Sequence, residues 1–239
     1  MKRILLSNDD GIHAPGLRAL EEALDGLAEI TVMAPLSEQS ASSHALTLHH
    51  PLRVRELGPR RFAVEGTPTD CVLLAVKEFF GGTPDLVVSG INHGPNMGED
   101  VIYSGTVAAA MEGAMLGIPA VALSLATRGP AQFEEAQAEA RDIVASLLAQ
   151  DLPTRFLLNV NIPAVPASEI KGRRVARLGT RMYDDDVIRK EDPRGRPYFW
   201  IGGSVAHWEA DEASDFHAIA EGYVAMTPLL MDLTDAPRL

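Results

Sequence analysis

Five short apolar segments in the first 160 residues constrain the fold more than any other feature of this sequence. They are Ile4–Ser7, Ile30–Ala34, Leu86–Ser89, Ala120–Ser124 and Phe156–Val160. None contains a charged residue, and uninterrupted apolar runs of this length are typical of strands that are buried on both faces. Such strands occur in parallel sheets that helices cover on both sides.

Helical patterns alternate with most of these strands. Residues 17–27 place leucines on one face of a helix that a proline can begin, and residues 133–147 carry a second amphipathic pattern. Thr67 and Asp70 have the spacing of an N-cap and an N3 residue, in a helix that runs to about Phe80. This alternation predicts an α/β, Rossmann-like three-layer fold with a mostly parallel central sheet and right-handed crossovers.

One interruption falls between the second strand and its next helix. Ala45–Leu57 and Arg61–Glu65 both read as extended segments. Two extended segments separated by a short connection predict an inserted β-hairpin.

The pattern changes again after the last apolar segment. Arg174–Met182 and Tyr198–Gly202 read as strands joined by the polar stretch Tyr183–Pro197. We interpret residues 1–165 as an α/β catalytic core and residues 166–239 as a C-terminal extension with a hairpin and an oligomerisation arm. The two parts are expected to form a single structural domain, and the aromatic content of the extension indicates an interface between copies of the chain.

The charge and the distribution of apolar residues exclude several classes of protein. The formal net charge is −12, which repels nucleic-acid backbones and means that a phosphate-handling enzyme of this kind needs a cation at its site. The long apolar stretch Thr106–Ala126 contains Glu112 and is broken by Gly117 and Pro119, so it predicts a buried helix and strand rather than a membrane span. Without a signal-peptide pattern at the N-terminus, the protein is expected in the cytoplasm.

Three polar loops follow the first three strands, at residues 8–11, 35–40 and 90–98. In open parallel sheets, ligands bind beyond the carboxyl ends of the strands. The three loops therefore predict a binding site at one edge of the sheet.

Asp9 and Asp10 are adjacent carboxylates in the first of these loops. Their mutual repulsion raises one pKa unless a cation neutralises them. A hard divalent ion such as Mg²⁺ or Mn²⁺ does this through oxygen ligands, and oxygens of Ser40 and Asn92 could complete its shell. The alternative is a turn in which Asp10 caps the next helix, and the pair alone does not distinguish the two.

A phosphate group would need donors beside such an ion. Ser104, Gly105 and Thr106 open the buried helix, where free backbone N–H groups and two hydroxyls can form an anion site. Asn96 could add a side-chain amide, and His93 is a candidate for a general acid. The alternatives are an ordinary serine cap at Ser104 and a tight turn in the glycine-containing loop around Asn96.

Several segments together resemble a known family. They read SNDDGIHAPG at 7–16, GTPTDCV at 66–72, SGINHGPNMG at 89–98, YSGTVAAA at 103–110, DPRGR at 192–196, and GYV through DLT at 222–234. In combination they resemble the SurE (survival protein E) family of 5′-nucleotidases over nearly the whole chain. The familiar ATP-binding, nucleophile-elbow, zinc-protease and dinucleotide motifs are not found in the sequence.

The resemblance implies a function and a set of site residues. It implies hydrolysis of nucleoside 5′-monophosphates, with 3′-nucleotides and polyphosphate as further substrates, by a homodimer or homotetramer that exchanges C-terminal arms. One divalent metal ion per subunit, Mg²⁺ or Mn²⁺, would be held by Asp9, Asp10, Ser40 and Asn92. The substrate phosphate would be held by Asn96, Ser104, Gly105 and Thr106, and the catalytic residues would be Asp9, Asp10, Asn96 and Ser104.

Two other functions and a second mechanism stay open at this point. A metal-dependent nucleotide-binding transferase would bind metal but release little phosphate from a monophosphate, and a non-catalytic binding module would have no metal affinity. Within the hydrolase hypothesis, an activated water molecule is the favoured nucleophile. Covalent attack by Asp9 is the rival, because an aspartate can itself act as a nucleophile.

Overall fold

The computed structural model describes residues 1–127, 129–182, 187–201 and 207–234. The strands are β1 (Arg3–Ser7), β2 (Glu29–Pro35), β3 (Val54–Gly58), β4 (Arg61–Val64), β5 (Leu86–His93), β6 (Ala120–Ala126), β7 (Leu157–Pro163), β8 (Arg173–Val175), β9 (Arg181–Met182), β10 (Val187–Glu191), β11 (Pro197–Ile201), β12 (His207–Trp208) and β13 (Val224–Pro228). The α-helices are α1 (Pro15–Leu24), α2 (Pro68–Leu74), α3 (Gly105–Met115), α4 (Glu134–Leu148) and α5 (Asp215–Ala220). A π-helical turn spans Ala75–Phe79, and 3₁₀ turns span Gly98–Ile102 and Ala167–Glu169.

One large sheet organises the described chain, in the order β3-β4-β2-β1-β5-β6-β7-β13-β8. Strands β2, β1, β5, β6 and β7 run parallel to one another, whereas β13 is antiparallel to β7. All five predicted apolar segments lie in these parallel strands, apart from Phe156, which precedes β7. The predicted fold class, with its mostly parallel central sheet, is therefore confirmed.

Helices cover both faces of this sheet. Ile4 and Leu6 of β1 face α1 and α4, while the intervening Leu5 faces α2 and α3. Side chains alternate across a strand, so a strand between two helical layers must be apolar at every position. The uncharged run that identified β1 in the sequence is the direct consequence of this double burial.

The predicted helices are present, with differences at their ends. Thr67 and Asp70 form the expected capping box, and α2 continues as the π-helical turn as far as Phe79. Helix α1 stops at Leu24, short of the last leucine of the pattern, because Gly26 turns the chain with φ of 72°.

The inserted hairpin is shorter than predicted. Strands β3 and β4 are antiparallel, and β4 adds to the sheet in parallel with β2. Residues 45–53 were expected to be extended, but they contain no strand in the structure. Their backbone bonds elsewhere: the Thr47 N–H donates to Asp70 Oδ1 at 2.9 Å, and the Thr67 hydroxyl donates to the Ala45 carbonyl at 2.7 Å.

The C-terminal region also differs from the prediction. Arg174–Met182 is divided into β8 and β9, because the chain between them bonds to the segment before α5, as in the Arg177 N–H to Ala213 carbonyl bond of 2.9 Å. The stretch predicted as a polar connection contains β10, which pairs with β11. Residues 183–186 of that connection, and Gly202, lie outside the described residues.

No helix within the described ranges is long and apolar enough to cross a membrane. The long apolar stretch that raised the question forms α3 and then β6, as the sequence predicted. Both elements are buried almost throughout, α3 against one face of the sheet and β6 near its centre.

Candidate active site

The carboxyl end of β1 leads into a tight turn that presents two aspartates. Asn8 is fully buried, and its side chain closes the turn by donating to the Gly11 carbonyl at 3.0 Å and accepting from the Gly11 N–H at 3.2 Å. Gly11 has φ of 102°, which favours glycine. The loop after β2 is joined to this turn, because the Gln39 N–H donates to the Asp9 carbonyl at 2.8 Å.

Asp9 lies at the centre of the site and is only 6% exposed. Its Oδ1 accepts a hydrogen bond from the Thr106 hydroxyl of helix α3. Burial raises the pKa of Asp9 to about 6, the Thr106 hydrogen bond opposes that rise, and the charge of Asp10 adds to it. A nearby cation would relieve both unfavourable effects.

Asp10 is half-buried, and its Oδ2 accepts a hydrogen bond of 3.3 Å from the His93 N–H at the end of β5. Burial raises the pKa of Asp10, the His93 bond opposes the rise, and the charge of Glu38 reinforces it. The alternative role of Asp10 as a helix cap is wrong. Helix α1 has Ala14 at its N-cap position and makes no side-chain cap bond there.

The sequence suggested that Asn92 lies in a loop, but in the structure it lies in strand β5. Strand β5 continues to His93 because β6 extends alongside it and pairs Asn92 with Ser124. The closeness of the two strands requires Gly90, since a Cβ there would lie 2.2 Å from the Leu123 carbonyl oxygen. Asn92 is half-buried, and its Nδ2 donates to the Gly94 carbonyl at 2.9 Å.

Ser40 is exposed in the loop after β2, and its hydroxyl donates to Glu38 Oε1 at 2.6 Å. It follows directly after Gln39, whose N–H is bonded to the Asp9 backbone. Ser40 and Asn92 are therefore each adjacent in sequence to a residue whose backbone N–H bonds to Asp9 or Asp10.

This donor set fits a hard divalent cation. It combines two adjacent carboxylates whose pKa values are raised by burial with neutral oxygens from an amide and a hydroxyl. Within the described part of the chain, no three His, Cys, Asp or Glu side chains cluster as a metal site. An all-oxygen set is the type that Mg²⁺ and Mn²⁺ prefer, whereas zinc usually takes nitrogen or sulfur.

Helix α3 begins against Asp9. Ser104 is its N-cap, and its Oγ accepts from the Val107 N–H at 3.1 Å, so the capping role foreseen as an alternative is present. A Cβ on Gly105 would lie 2.7 Å from the Asp9 Cβ and 2.9 Å from its Oδ2. Only glycine therefore allows the positive end of the helix to approach the carboxylate this closely.

A buried network of amides holds Asn96. Its backbone N–H donates to Asn161 Oδ1 at 2.8 Å, and its carbonyl accepts from Asn161 Nδ2 at 2.9 Å and from Asn159 Nδ2 at 2.8 Å. The Asn96 Nδ2 donates to the Ser124 hydroxyl at 2.8 Å. Sequence reasoning missed this network, although two asparagines alternating in an apolar strand, β7, were a signal for it.

The same loop is attached to the C-terminal extension by a second group that the sequence did not reveal. The buried carboxylate of Asp215 accepts from the N–H groups of Gly98 at 2.9 Å, Gly179 at 3.0 Å and Phe216 at 2.9 Å. Burial raises the pKa of Asp215, and these three hydrogen bonds oppose the rise. The extension thus fixes the end of the loop that carries Asn96.

The ring of His93, the candidate general acid, contacts residues outside the turn that carries Asp9 and Asp10. Its Nε2 donates to the Gly129 carbonyl at 2.8 Å, and its ring packs edge-on against Phe133 with centroids 6.4 Å apart. Its backbone N–H bonds to Asp10, and its charge lowers the pKa of Asp10. A proton-transfer role for its imidazole stays a prediction.

The chain is similar to several known proteins. The sequence model of the family described as Survival protein SurE matches residues 4–185. Proteins named 5′-nucleotidase SurE are 55% identical in Gemmatimonas aurantiaca and 50% identical in Geobacter sulfurreducens, covering 97% and 99% of this chain and 94% and 90% of those relatives. The crystal structure of SurE protein from Aquifex aeolicus superposes with a TM-score of 0.90 at 44% identity, covering 99% of this chain and 96% of that one. From these matches, which span nearly the whole chain, it follows that this protein belongs to the SurE family.

Proposed function

We propose that this chain is a metal-dependent 5′-nucleotidase that hydrolyses nucleoside 5′-monophosphates to a nucleoside and inorganic phosphate. Its relatives from two bacteria carry the name 5′-nucleotidase. The observation that carries the proposal is the contact between Asp9 and the first turn of α3, at Gly105 and Thr106. This contact supports the proposal because a carboxylate that would bind the cation lies directly beside a turn suited to an anion. The names of the relatives do not favour the transferase or the binding module.

The residues divide into two groups. Asp9, Asp10, Ser40 and Asn92 would hold one Mg²⁺ or Mn²⁺ ion, which supplies positive charge for a phosphate oxygen and lowers the pKa of water beside it. Asn96, Ser104, Gly105 and Thr106 would hold the remaining phosphate oxygens. Both groups lie at the carboxyl edge of the sheet, where ligands of open parallel sheets bind.

Each phosphate-binding residue has a physical reason for its place. The first-turn amides of α3 direct partial positive charge toward the phosphate. The backbone N–H of Thr106 is one of these amides, whereas its hydroxyl bonds to the Asp9 carboxylate and fixes its direction. The amide network fixes the backbone of Asn96 and the bond to Ser124 fixes its Nδ2, which keeps a second N–H that could donate to the phosphate without a further ordering cost.

Water remains the favoured nucleophile over Asp9 itself. One oxygen of Asp9 accepts a hydrogen bond from Thr106, and the other lies against Gly105. A buried carboxylate held in this way, and committed to a cation, is a weaker nucleophile than water that a base or cation has activated.

The test is phosphate release from AMP with added Mn²⁺ and with EDTA, for wild type, Asp9→Asn and Asp10→Asn. Both variants should lose turnover on the order of a hundredfold, because each removes charge from the site. Calorimetric titration should show weaker Mn²⁺ binding in both. Asp25→Asn is the matched control, since Asp25 is exposed at the end of α1.

Each other outcome has a defined meaning. Normal Mn²⁺ binding and normal turnover in both variants would show that the site lies elsewhere. Normal Mn²⁺ binding by an inactive Asp9→Asn protein would favour the covalent route. If wild type binds Mn²⁺ but releases no phosphate from AMP, the transferase alternative gains support, and if it binds no metal, the binding module does. Parallel assays with 3′-AMP and polyphosphate would test those expected further substrates.

A further inference from the structure

The loop after β2 reaches the candidate active site without regular secondary structure of its own. Residues 36–53 contain no helix or strand. Ala41 and Ser43 have φ of 56° and 54°, a left-handed conformation that residues with a side chain adopt only at a cost in free energy. Local preferences therefore do not account for the shape of this loop, and contacts with other elements must hold it.

Backbone contacts hold the loop on both sides of Ser40. The Gln39 N–H is bonded to the aspartate turn at 2.8 Å. The Ser43 N–H donates to the Tyr103 carbonyl at 3.1 Å, and the Ser43 hydroxyl donates to the Ile102 carbonyl at 2.8 Å. The segment 39–43 is thus bonded to the end of β1 at one end and to the chain before α3 at the other.

A side-chain contact joins the next residue of the loop to the middle of α3. The His44 Nε2 donates to Glu112 Oε2 at 2.9 Å, and the Glu112 side chain is only 9% exposed. Glu112 is the one charged residue of a helix that packs against the sheet through apolar side chains. Burying a carboxylate costs free energy that an apolar residue would not cost. Packing therefore gives no reason for an acidic residue at this position, whereas the bond to His44 does.

Glu112 is too far from the phosphate turn to take part in the chemistry. Glu112 and Gly105 belong to the same helix and lie about 10 Å apart along its axis, at a rise of about 1.5 Å per residue. Helix α3 is buried almost throughout, so it provides a fixed point for the loop. The role of Glu112 must therefore act through the residue that it holds, His44.

We propose that Glu112 and His44 are positioning residues, which hold the loop segment 39–44 against α3 and thereby keep Ser40 beside the aspartate pair. This inference rests on the proposed function, in which Ser40 is a ligand of the divalent ion. A ligand that is held in place before the ion binds avoids the ordering cost that a free loop would have on binding. Neither His44 nor Glu112 is expected to contact the ion or the substrate.

The test uses His44→Ala and Glu112→Leu, and measures the Mn²⁺ dissociation constant by calorimetry in the absence of substrate. Both variants should bind Mn²⁺ about tenfold more weakly, the effect of removing a group that orients a metal ligand. Glu112→Gln keeps an oxygen that can accept from His44, so it should stay close to wild type. His49→Ala is the matched control, because His49 is exposed in the same connection between β2 and β3.

Stability separates a positioning role from a structural one. Leucine suits the apolar surroundings of position 112, and replacing a buried ionisable group by an apolar one is often neutral or stabilising. The His44 side chain is 26% exposed, so water can take the place of its partner. Glu112→Leu should therefore keep or raise the Tm of the metal-free protein while its Mn²⁺ affinity falls. Amide hydrogen exchange at Ser43, also without metal, should become faster in both variants, with the amides of α3 unchanged.

A second experiment tests whether the pair acts through Ser40. In a Ser40→Ala background, His44→Ala should weaken Mn²⁺ binding no further, because the ligand that it positions is already absent. Excess Mn²⁺ should restore the AMP turnover of His44→Ala to wild type, with KM for AMP unchanged. Fully additive losses of Mn²⁺ affinity, or turnover that excess Mn²⁺ does not restore, would overturn the proposal.

Unchanged Mn²⁺ affinity in both His44→Ala and Glu112→Leu would overturn it as well, and a lower Tm in the same variants would assign the pair to the fold. If wild type binds Mn²⁺ and hydrolyses AMP in that case, only the role of the pair is lost. Wild-type protein that neither binds Mn²⁺ nor hydrolyses AMP would instead remove the proposed function, and this inference with it.

Discussion

Gly105 sets the distance between helix α3 and Asp9. Any side chain at this position would overlap the Asp9 carboxylate, since a Cβ alone would lie 2.7 Å from the Asp9 Cβ. A side chain at position 105 would displace the Asp9 carboxylate as well as obstruct the phosphate. Alanine has the smallest side chain, so Gly105→Ala is the most informative substitution.

We therefore predict that Gly105→Ala lowers AMP turnover by about a hundredfold through displacement of Asp9 and the phosphate turn. Overpacking should lower the free energy of unfolding by about 2 kcal/mol. Gly58→Ala is the control, because no atom lies within 4 Å of its added Cβ. Kinetics and urea unfolding of both variants provide the measurement, and wild-type turnover by Gly105→Ala would exclude this turn from the site. Gly105→Val should reduce activity further.

The raised pKa of Asp9 makes metal binding dependent on pH. A carboxylate must lose its proton to bind a cation, and without the cation burial raises the pKa of Asp9 to about 6. Above this pH the group is charged and ready to bind. Below it, a proton competes with the metal.

The expected result is that Mn²⁺ affinity stays nearly constant above the pKa of Asp9, which is about 6. Below that pH it should fall by about tenfold per pH unit while this single proton competes. Calorimetric titrations at several pH values measure the affinity directly. Asp25→Asn should follow the wild-type curve. An affinity that does not change between neutral and mildly acidic pH would mean that Asp9 is not a ligand.

At the level of elements, strand β7 supports the loop that carries Asn96. The side chain of Asn161 takes the place of a backbone hydrogen-bond partner for Asn96. Its amide bonds to both the N–H and the carbonyl of Asn96. The neighbouring strand β13 places Thr227 opposite Asn159, but the Thr227 hydroxyl makes no hydrogen bond among the described residues. Asn161 therefore contributes hydrogen bonds that hold the loop, whereas the Thr227 hydroxyl contributes none among the described residues.

Asn161→Leu should lower both stability and turnover. It leaves the buried Asn96 N–H without its acceptor, which costs about 2 kcal/mol of unfolding free energy. It also frees the loop, so KM for AMP should rise. Thr227→Val is the control and should be neutral or stabilising, since no bond is lost. Urea unfolding and steady-state kinetics test the pair, and equal effects of the two changes would contradict a positioning role for Asn161.

For the molecule as a whole, the β10–β11 hairpin is the prominent apolar surface. Phe199, Trp200 and Ile201 are 59%, 61% and 92% exposed, and clustered exposed apolar residues usually mark an interface. Trp208, by contrast, stacks on Phe216 of the same chain with centroids 5.0 Å apart. We propose that the hairpin packs against another copy of the chain in a homodimer or homotetramer.

Trp200→Ser should therefore weaken assembly without unfolding the subunit, because Trp200 is 61% exposed and belongs to none of the hydrophobic core clusters of the described residues. Light scattering should report an oligomer for wild type and a smaller species for the variant at equal concentration. Trp208→Ser should instead lower the melting temperature, through the lost stacking. Monomeric wild-type protein would refute the interface.

Much of the architecture could be predicted from local patterns. The double burial of each parallel strand requires an uncharged apolar run, and the helices between them require amphipathic periodicity. The topology of parallel sheets then brings the polar residues that follow successive strands to one edge. For this reason the sequence alone located the aspartate pair and the start of α3 in one candidate site.

Other features depend on contacts between residues that are far apart in the chain. Asp215 bonds to Gly98, which is 117 residues away, and Asn161 holds Asn96 from 65 residues away. Local periodicity carries no information about such pairs, because each partner is an ordinary polar residue in its own segment. In the loop after β2, Ser40 is exposed whereas the Ser42 hydroxyl is buried, and the bonds of Ser43 to the carbonyls before α3 decide this difference. The sequence therefore determined the layers and the edge at which the candidate site lies, whereas long-range hydrogen bonding in the folded chain determined which polar side chains face that edge.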